Sequence, residues 1–271
     1  MTSARPTAPT RVLAVSPHLD DAVLSYGARL HQLARSGAEV VVLTVFAGVP
    51  GPPYSATAHV YHDTWGVSGN PVPMRIDEDA KALRELGLTP RHADFLDAIY
   101  RTLPNGRWLV DDPSRSVSSQ ALEVEEPDLM ASVAQHIREF STRFRPAAVY
   151  TCAAIGRHVD HWRTRDATVK ALLGTDIPLR FWEDLPYRGK TTRMPPLPAG
   201  TSFTGHLVEP VDPQDRDAKF RALLHYESQL ALLGHESEPL PERLERYARE
   251  RSETAYNEAT WGLATTGGAT R

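Results

Sequence analysis

The sequence predicts a doubly wound α/β fold, a mostly parallel sheet with helices on both faces and a Rossmann-like architecture. Three observations carry this. Short β-branched and apolar runs alternate with stretches of helical periodicity along most of the chain. The runs are nearly continuous in apolar residues, as parallel strands covered on both faces require. Polar turns holding acids and histidines follow the first and fourth runs, where open α/β sheets bind their ligands.

Arg11 to Ser16 (RVLAVS) reads as the first strand. From Ala22 to Ser36, the residues Val23, Tyr26, Gly27, Leu30, Leu33 and Ala34 share one helical face, and Gly37 ends the helix. Glu39 to Phe46 (EVVVLTVF) is the second strand and closes a right-handed βαβ unit. Gly48 to Pro73 is a Pro- and Gly-rich loop with a short helix inside it. Ile76 to Leu86 reads as a helix with acids in its first turn and Gly87 at its end. Ala93 to Leu96 is expected as the third strand, and the acidic stretch Pro104 to Pro127 as an inserted surface segment.

Pro127 to Phe144 places Val133, Ile137, Phe140 and Phe144 on one helical face. Ala147 to Ala153 (AAVYTCA) is the fourth strand, with a helix from Trp162 to Leu173 after it. Leu179 to Leu185 is expected as a fifth strand, Pro186 to Thr201 as a loop, and His206 to Val208 as a short edge strand. Helical stretches follow near Pro213 to Leu233 and Pro239 to Tyr256. No repeat or linker interrupts the chain, so residues 1–271 are expected as one domain, with 1–10 and 262–271 flexible.

Composition narrows the function. The 271 residues are 41% hydrophobic, enough to bury a core without staples. One cysteine excludes a disulfide framework and a thiolate-only metal cage, and Cys152 inside an apolar strand reads as a structural thiol. With 30 basic against 34 acidic residues, net charge gives no reason to expect a nucleic-acid partner. No apolar run reaches bilayer length and the first ten residues hold no secretory apolar region. A cytoplasmic chain without a membrane partner is expected.

The turn after the first strand reads Ser16-Pro17-His18-Leu19-Asp20-Asp21. A phosphate cradle would need glycines here, and none occurs before Gly27. Two carboxylates would repel an anion, so the turn suits a cation. A histidine and two acids fit Zn²⁺, with one acid as ligand and the other free as a base. The plainer reading is that an acid caps the helix while His18 packs in the loop. The fourth strand runs into Ile155-Gly156-Arg157-His158-Val159-Asp160-His161, again between strand and helix. In the usual doubly wound order the first and fourth strands are neighbours, so the two clusters, about 140 residues apart, meet at one crevice. Two such clusters at one sheet edge outweigh the reading of each as an ordinary polar loop.

Together, His18-Leu19-Asp20-Asp21 and His158-Val159-Asp160-His161 resemble the H-P-D-D and H-P-D-H signatures of the PIG-L, or LmbE-like, family of zinc-dependent N-deacetylases. Leu and Val replace the two prolines, and Ala22 stands where the family often has an acid. Met74 to Leu88 is similar to the family's arginine-bearing helix, and Tyr256-Asn257-Glu258 to its C-terminal Tyr-x-Glu.

The resemblance implies one Zn²⁺ per chain, held by His18, Asp21 and His161, and Asp20 as general base. It implies that a protonated His158 stabilises the oxyanion or protonates the leaving amine, that Asp160 orients His158, and that Arg75 contacts sugar hydroxyls. The family's acid after the third strand falls near Asp94, Asp97 or Tyr100. The implied activity is removal of an acetyl or other short acyl group from an N-acylated amino sugar or related small molecule, in secondary or thiol-cofactor metabolism. The alternatives are a catalytically quiet metal-binding domain and a nucleotide-dependent α/β enzyme. The missing glycine loop disfavours the second. Aromatic residues and His59 and His62 in the 48–73 loop read mainly as packing and surface groups.

Overall fold

A computed structural model describes residues 8–67, 69–121, 124–187, 194–233, 238–250 and 256–265. Seven strands form one sheet, in the order β3-β2-β1-β4-β5-β7-β6. They are β1 (Arg11–Ser16), β2 (Glu39–Thr44), β3 (Thr89–His92), β4 (Ala148–Cys152), β5 (Leu179–Trp182), β6 (Thr201–Pro210) and β7 (Asn257–Thr265). The first five run parallel, while β7 is antiparallel to both β5 and β6.

The apolar runs are continuous because both sheet faces are covered. In β1 and β2, Val12, Ala14, Val40 and Val42 face one core, and Leu13, Val15, Val41 and Leu43 face the other. The first core includes residues of α1 (Asp21–Arg35), α3 (Val72–Glu85), α7 (Pro213–Leu223) and α9 (Leu240–Arg249). The second is covered by α5 (Pro127–Phe144) and α6 (Val159–Leu172). A third apolar cluster joins Leu19 and Val159, which lie within the two polar turns, to α2 (Ala56–Thr64), to Ile99 and Val110, and to Val117 and Ala121 of α4 (Val117–Ala121).

Several boundaries differ from the sequence reading, for identifiable reasons. The stretch 262–265 is not a frayed tail: β7 runs through it, held between β5 and β6, and residues 266–271 lie outside the described part, as do 1–7. The third strand lies at Thr89–His92, four residues earlier than expected. Its TPRH sequence has little apolar signal because it is an edge strand, where Pro90 is tolerated. Strand β6 is ten residues long, and its mostly solvent-facing side chains hide it from a hydrophobic pattern. The 104–127 segment is not purely superficial, since Leu109, Val110, Val117 and Ala121 are buried in the third cluster. Helix α3 begins a turn before Ile76, so Arg75 stands in its first turn and no acid does. Helix α6 begins at Val159 rather than Trp162, with His158 as its N-cap. The expected 213–233 helix is two, α7 and α8 (Glu227–Leu233).

The strand that enters late also mends the first helix. Tyr26 leaves helical geometry (φ −141°, ψ 17°) and breaks α1. Just beyond the break, the N–H groups of Ala28 and Arg29 donate to the Glu258 carboxylate of β7 at 3.3 and 2.8 Å. Lys219 of α7 donates to the same carboxylate at 2.7 Å, and both side chains are fully buried. Burial opposes the Lys219 ammonium, but Glu258 and Tyr256 outweigh it and raise its pKa above the ordinary lysine value. Replacing Lys219 by Met strands a buried carboxylate, so Lys219→Met is expected to lower stability by about 3–5 kcal/mol in urea unfolding. Because the folded-state value is raised, the wild-type advantage is complete below about pH 10.4 and shrinks as pH rises through that raised value. A gap independent of alkaline pH would contradict this.

Candidate metal centre and active site

Parallel pairing of β1 with β4, in a register that sets Val15 opposite Thr151, brings the ends of both strands together. After β1 the chain turns on Ser16, whose Oγ donates to the His18 carbonyl at 2.9 Å and accepts from Ala22 N–H at 3.1 Å. This aims His18, Asp20 and Asp21 from the start of α1. Asp20 occupies the N-cap position but makes no side-chain cap, so the capping reading of that acid does not hold.

After β4, Ala154, Gly156 and Arg157 have positive φ. Gly156 is required twice over: its φ is +92°, and a Cβ would lie 2.6 Å from Tyr187 Cβ. The turn delivers His158 as N-cap, with Nδ1 accepting from Asp160 N–H at 3.3 Å, and places Asp160 and His161 in the first helical turn.

The histidines converge. Asp21 Oδ2 lies 3.2 Å from both His18 Nδ1 and His161 Nε2. Ring nitrogens of His18, His158 and His161 fall within 4.8 Å of one another. His161 is fully buried, yet its Nε2 makes no hydrogen bond of acceptable geometry. A buried ring nitrogen without a hydrogen-bond partner, facing a carboxylate and a second imidazole, fits a divalent cation that takes nitrogen and oxygen ligands. The residues that could hold it are His18, Asp21 and His161, with His158 also within reach.

The charges favour a cation there. Burial opposes ionisation of Asp21, but His161 and His18 hold its carboxyl well below the usual range. Burial likewise opposes charge on the imidazoles. The carboxylates of Asp97, Asp160 and Asp21 nonetheless raise His18 well above its ordinary value, and those of Asp21 and Asp184 bring His161 to about 9. A bound dication would take the place of those protons.

Asp20 is treated differently by its surroundings. Burial, then the Asp21 charge, push it up to about 8, against the pull of Arg75 and His18. Arg75 Nη2 stands 4.0 Å from its Oδ2. His158 is pushed down to about 3, by burial first and by His18 second, which favours its neutral form.

A cleft opens over this cluster, and its lining includes His18, Asp20, Asp21, His158, Arg75 and Asp97. Ile99, Val117 and Leu233 add apolar surface. Trp65 also borders it but is largely spent on packing. The Arg75 guanidinium lies 4.6 Å from its ring centre, His62 stacks at 6.2 Å, and Gln229 can accept from both Arg75 Nε and Trp65 Nε1. His62 is buried and bonded to the Tyr100 hydroxyl at 2.9 Å, so it is not a surface group, and Tyr100 is turned to it. Of the two acids near β3, Asp97 enters the cleft, while Asp94 bridges to Phe46. Cys152 is buried, its thiol donating to the His161 carbonyl.

Two further departures concern the carboxylates behind the imidazoles. The Asp160 side chain does not reach His158. Its Oδ2 meets His18 Nε2 at 3.1 Å and accepts from Ala98 N–H at 2.9 Å, because the first turn of α6 points it towards the 97–101 segment. Asp184, not singled out from the sequence, takes His161 Nδ1 at 2.7 Å and accepts from Ile155 N–H at 3.0 Å. Its signal was there to read, as an acid just past the carboxyl end of a central strand beside β4.

The chain is 43% identical to teicoplanin deacetylase in its zinc-inhibited form, covering 96% of this chain and 100% of that one with a TM-score of 0.90. It is 39% identical to the deacetylase of the A40926 pseudoaglycone, covering 97% and 100% with a TM-score of 0.83. Over 183 residues it is 32% identical to a 1D-myo-inositol 2-acetamido-2-deoxy-alpha-D-glucopyranoside deacetylase of Kineococcus radiotolerans, covering 61% of this chain and 45% of that protein. The chain spans about half the length of such curated relatives. Among the described residues, no helix is long and apolar enough to cross a membrane. Residues 13–172, the stretch from β1 to the end of α6 that holds both polar turns, match the family described as PIG-L, GlcNAc-PI de-N-acetylase, and the chain belongs to that family.

Proposed function

We propose that this chain is a zinc-dependent N-deacetylase that removes an acetyl group from an amino sugar carried on a natural-product scaffold. The observation that carries the reading is the convergence of His18, Asp21 and His161 beside Asp20, an acid in the cleft that neither caps its helix nor stands between the imidazoles. A purely structural zinc site would be closed by four protein ligands and would leave no such base. End-to-end likeness to the deacetylases of teicoplanin and of the A40926 pseudoaglycone, against partial likeness to inositol-linked sugar deacetylases, favours secondary metabolism over thiol-cofactor metabolism.

One zinc per chain, held by His18, Asp21 and His161, would supply Lewis acidity and lower the pKa of bound water from about 15.7 towards roughly 7. The protein's own groups do the rest. Asp20, poised near 8 without metal, takes a proton from the attacking water and can return it to the departing nitrogen. His158 is neutral with Nδ1 occupied by the Asp160 N–H, so its Nε2–H serves as donor to the developing oxyanion without prior protonation. Arg75, held by Trp65 and close to Asp20, is placed to meet sugar hydroxyls. The water oxygen bonds to the acyl carbon, the C–N bond breaks, and acetate and a free amine leave.

Asp20→Asn is expected to keep zinc and lose about 10²–10⁴-fold in turnover, read by amine release and metal content; unchanged turnover removes Asp20 as the base. His161→Ala should purify without zinc, and full occupancy in that variant would exclude His161 as a ligand. Asp184→Ala should weaken zinc binding by about 10–100-fold in a chelator competition, since it loses the group that orients His161. Equal affinity would show that Asp184 does not act on the metal. Acetate release from an N-acetylated pseudoaglycone of the teicoplanin or A40926 kind tests the substrate class; release only from an inositol-linked N-acetylglucosamine would overturn it.

A further inference from the structure

The two imidazoles are gripped from behind at different nitrogens. Asp184 takes Nδ1 of His161, leaving Nε2 towards Asp21. Asp160 takes Nε2 of His18, leaving Nδ1 towards Asp21. Asp184 is anchored by the Ile155 N–H, in the turn after β4 that leads to His161. Asp160 is anchored from across the fold. Its Oδ1 lies 2.7 Å from Arg101 Nη1, an ion pair without hydrogen-bond geometry, and Arg101 is the one ion-pair partner of that oxygen among the described residues.

Arg101 is itself fully engaged. It donates to both carboxylate oxygens of Glu126 at 2.8 and 3.1 Å and to the Leu96 carbonyl at 2.9 Å, and it lies 5.1 Å from the Phe46 ring centre. Glu126, at the start of α5, also takes Arg163 of α6. A guanidinium fixed at so many points is a rigid mount, and a bidentate pair sets direction as well as distance. Arg101 also follows the short 3₁₀ turn Ala98–Tyr100, next to the cleft residues Asp97 and Ile99.

We propose that Arg101 is a positioning residue for the metal centre: by holding the Asp160 carboxylate it makes His18 offer Nδ1, and not Nε2, to the ion. This rests on the zinc site proposed above. Asp160 is fully buried, so without Arg101 it would keep only the Ala98 N–H and the imidazole it is meant to orient.

The test uses the full chain loaded with zinc or cobalt(II). Arg101→Met is expected to bind zinc about 10–100-fold more weakly in chelator competition and to alter the visible spectrum of the cobalt form. Arg101→Lys, which restores the charge, should recover most of the affinity. Wild-type zinc affinity together with an unchanged cobalt spectrum in Arg101→Met would overturn the proposal. If Arg101→Met does not fold, the wild-type protein decides. Nitrogen-15 spectra of the zinc form should show His18 ligated through Nδ1 and protonated at Nε2, and ligation through Nε2 would overturn it. A wild-type chain that takes up no zinc would instead sink the metal site itself. A zinc-binding wild type with an indifferent Arg101→Met sinks only the role of Arg101.

Discussion

The parallel pairing of β1 with β4 is the constraint on which the site depends. Each strand ends in a tight turn that opens a helix, and the pairing sets the two turns side by side. No short-range interaction could bring His18 to Asp160, which is 142 residues away. The pairing is secured by burial on both sheet faces, where Leu13, Val15 and Val149 sit in one core and Val12 and Ala14 in the other. Chemistry at the strand ends is therefore positioned by apolar packing well below it.

Once the turns meet, electrostatics shapes the cluster. Asp20, Asp21, Asp97, Asp160 and Asp184 surround three imidazoles, and Arg75 and Arg101 stand among them. Buried carboxylates without counter-charge are costly, so each is paired with an imidazole, a guanidinium or a backbone N–H. The result is division of labour among chemically identical groups. Asp21 is kept ionised by two histidines, while Asp20, its neighbour in the chain, is pushed upward by burial first and by the Asp21 charge second. Two adjacent acids are thus set electrostatically apart without any difference in their own chemistry.

The wall of the cleft is built from segments that look like loops in isolation. Helix α2, the 97–101 segment and parts of 104–121 form an apolar cluster over the sheet edge, and Gln229 of α8 can bridge Trp65 and Arg75. Aromatic residues that would suit stacking on a sugar are mostly spent on each other. The cleft lining includes the Arg75 guanidinium, the acids, Tyr61, Tyr187 and a modest apolar surface.

The sequence by itself determined the alternating α/β order, the two histidine–aspartate turns and their place at neighbouring strand ends. These are local properties: apolar runs, helical periodicity and the residues that interrupt them. Arg75 was reached only through the resemblance of Met74 to Leu88 to the family's arginine-bearing helix. Only the tertiary structure decided which carboxylate stands behind which imidazole, giving Asp160 to His18 and bringing in Asp184 and Arg101. It alone placed β7 inside the sheet, where Glu258 caps the broken first helix. Such pairings join residues far apart in the chain, and any acid can serve any histidine until packing sets the distance between them.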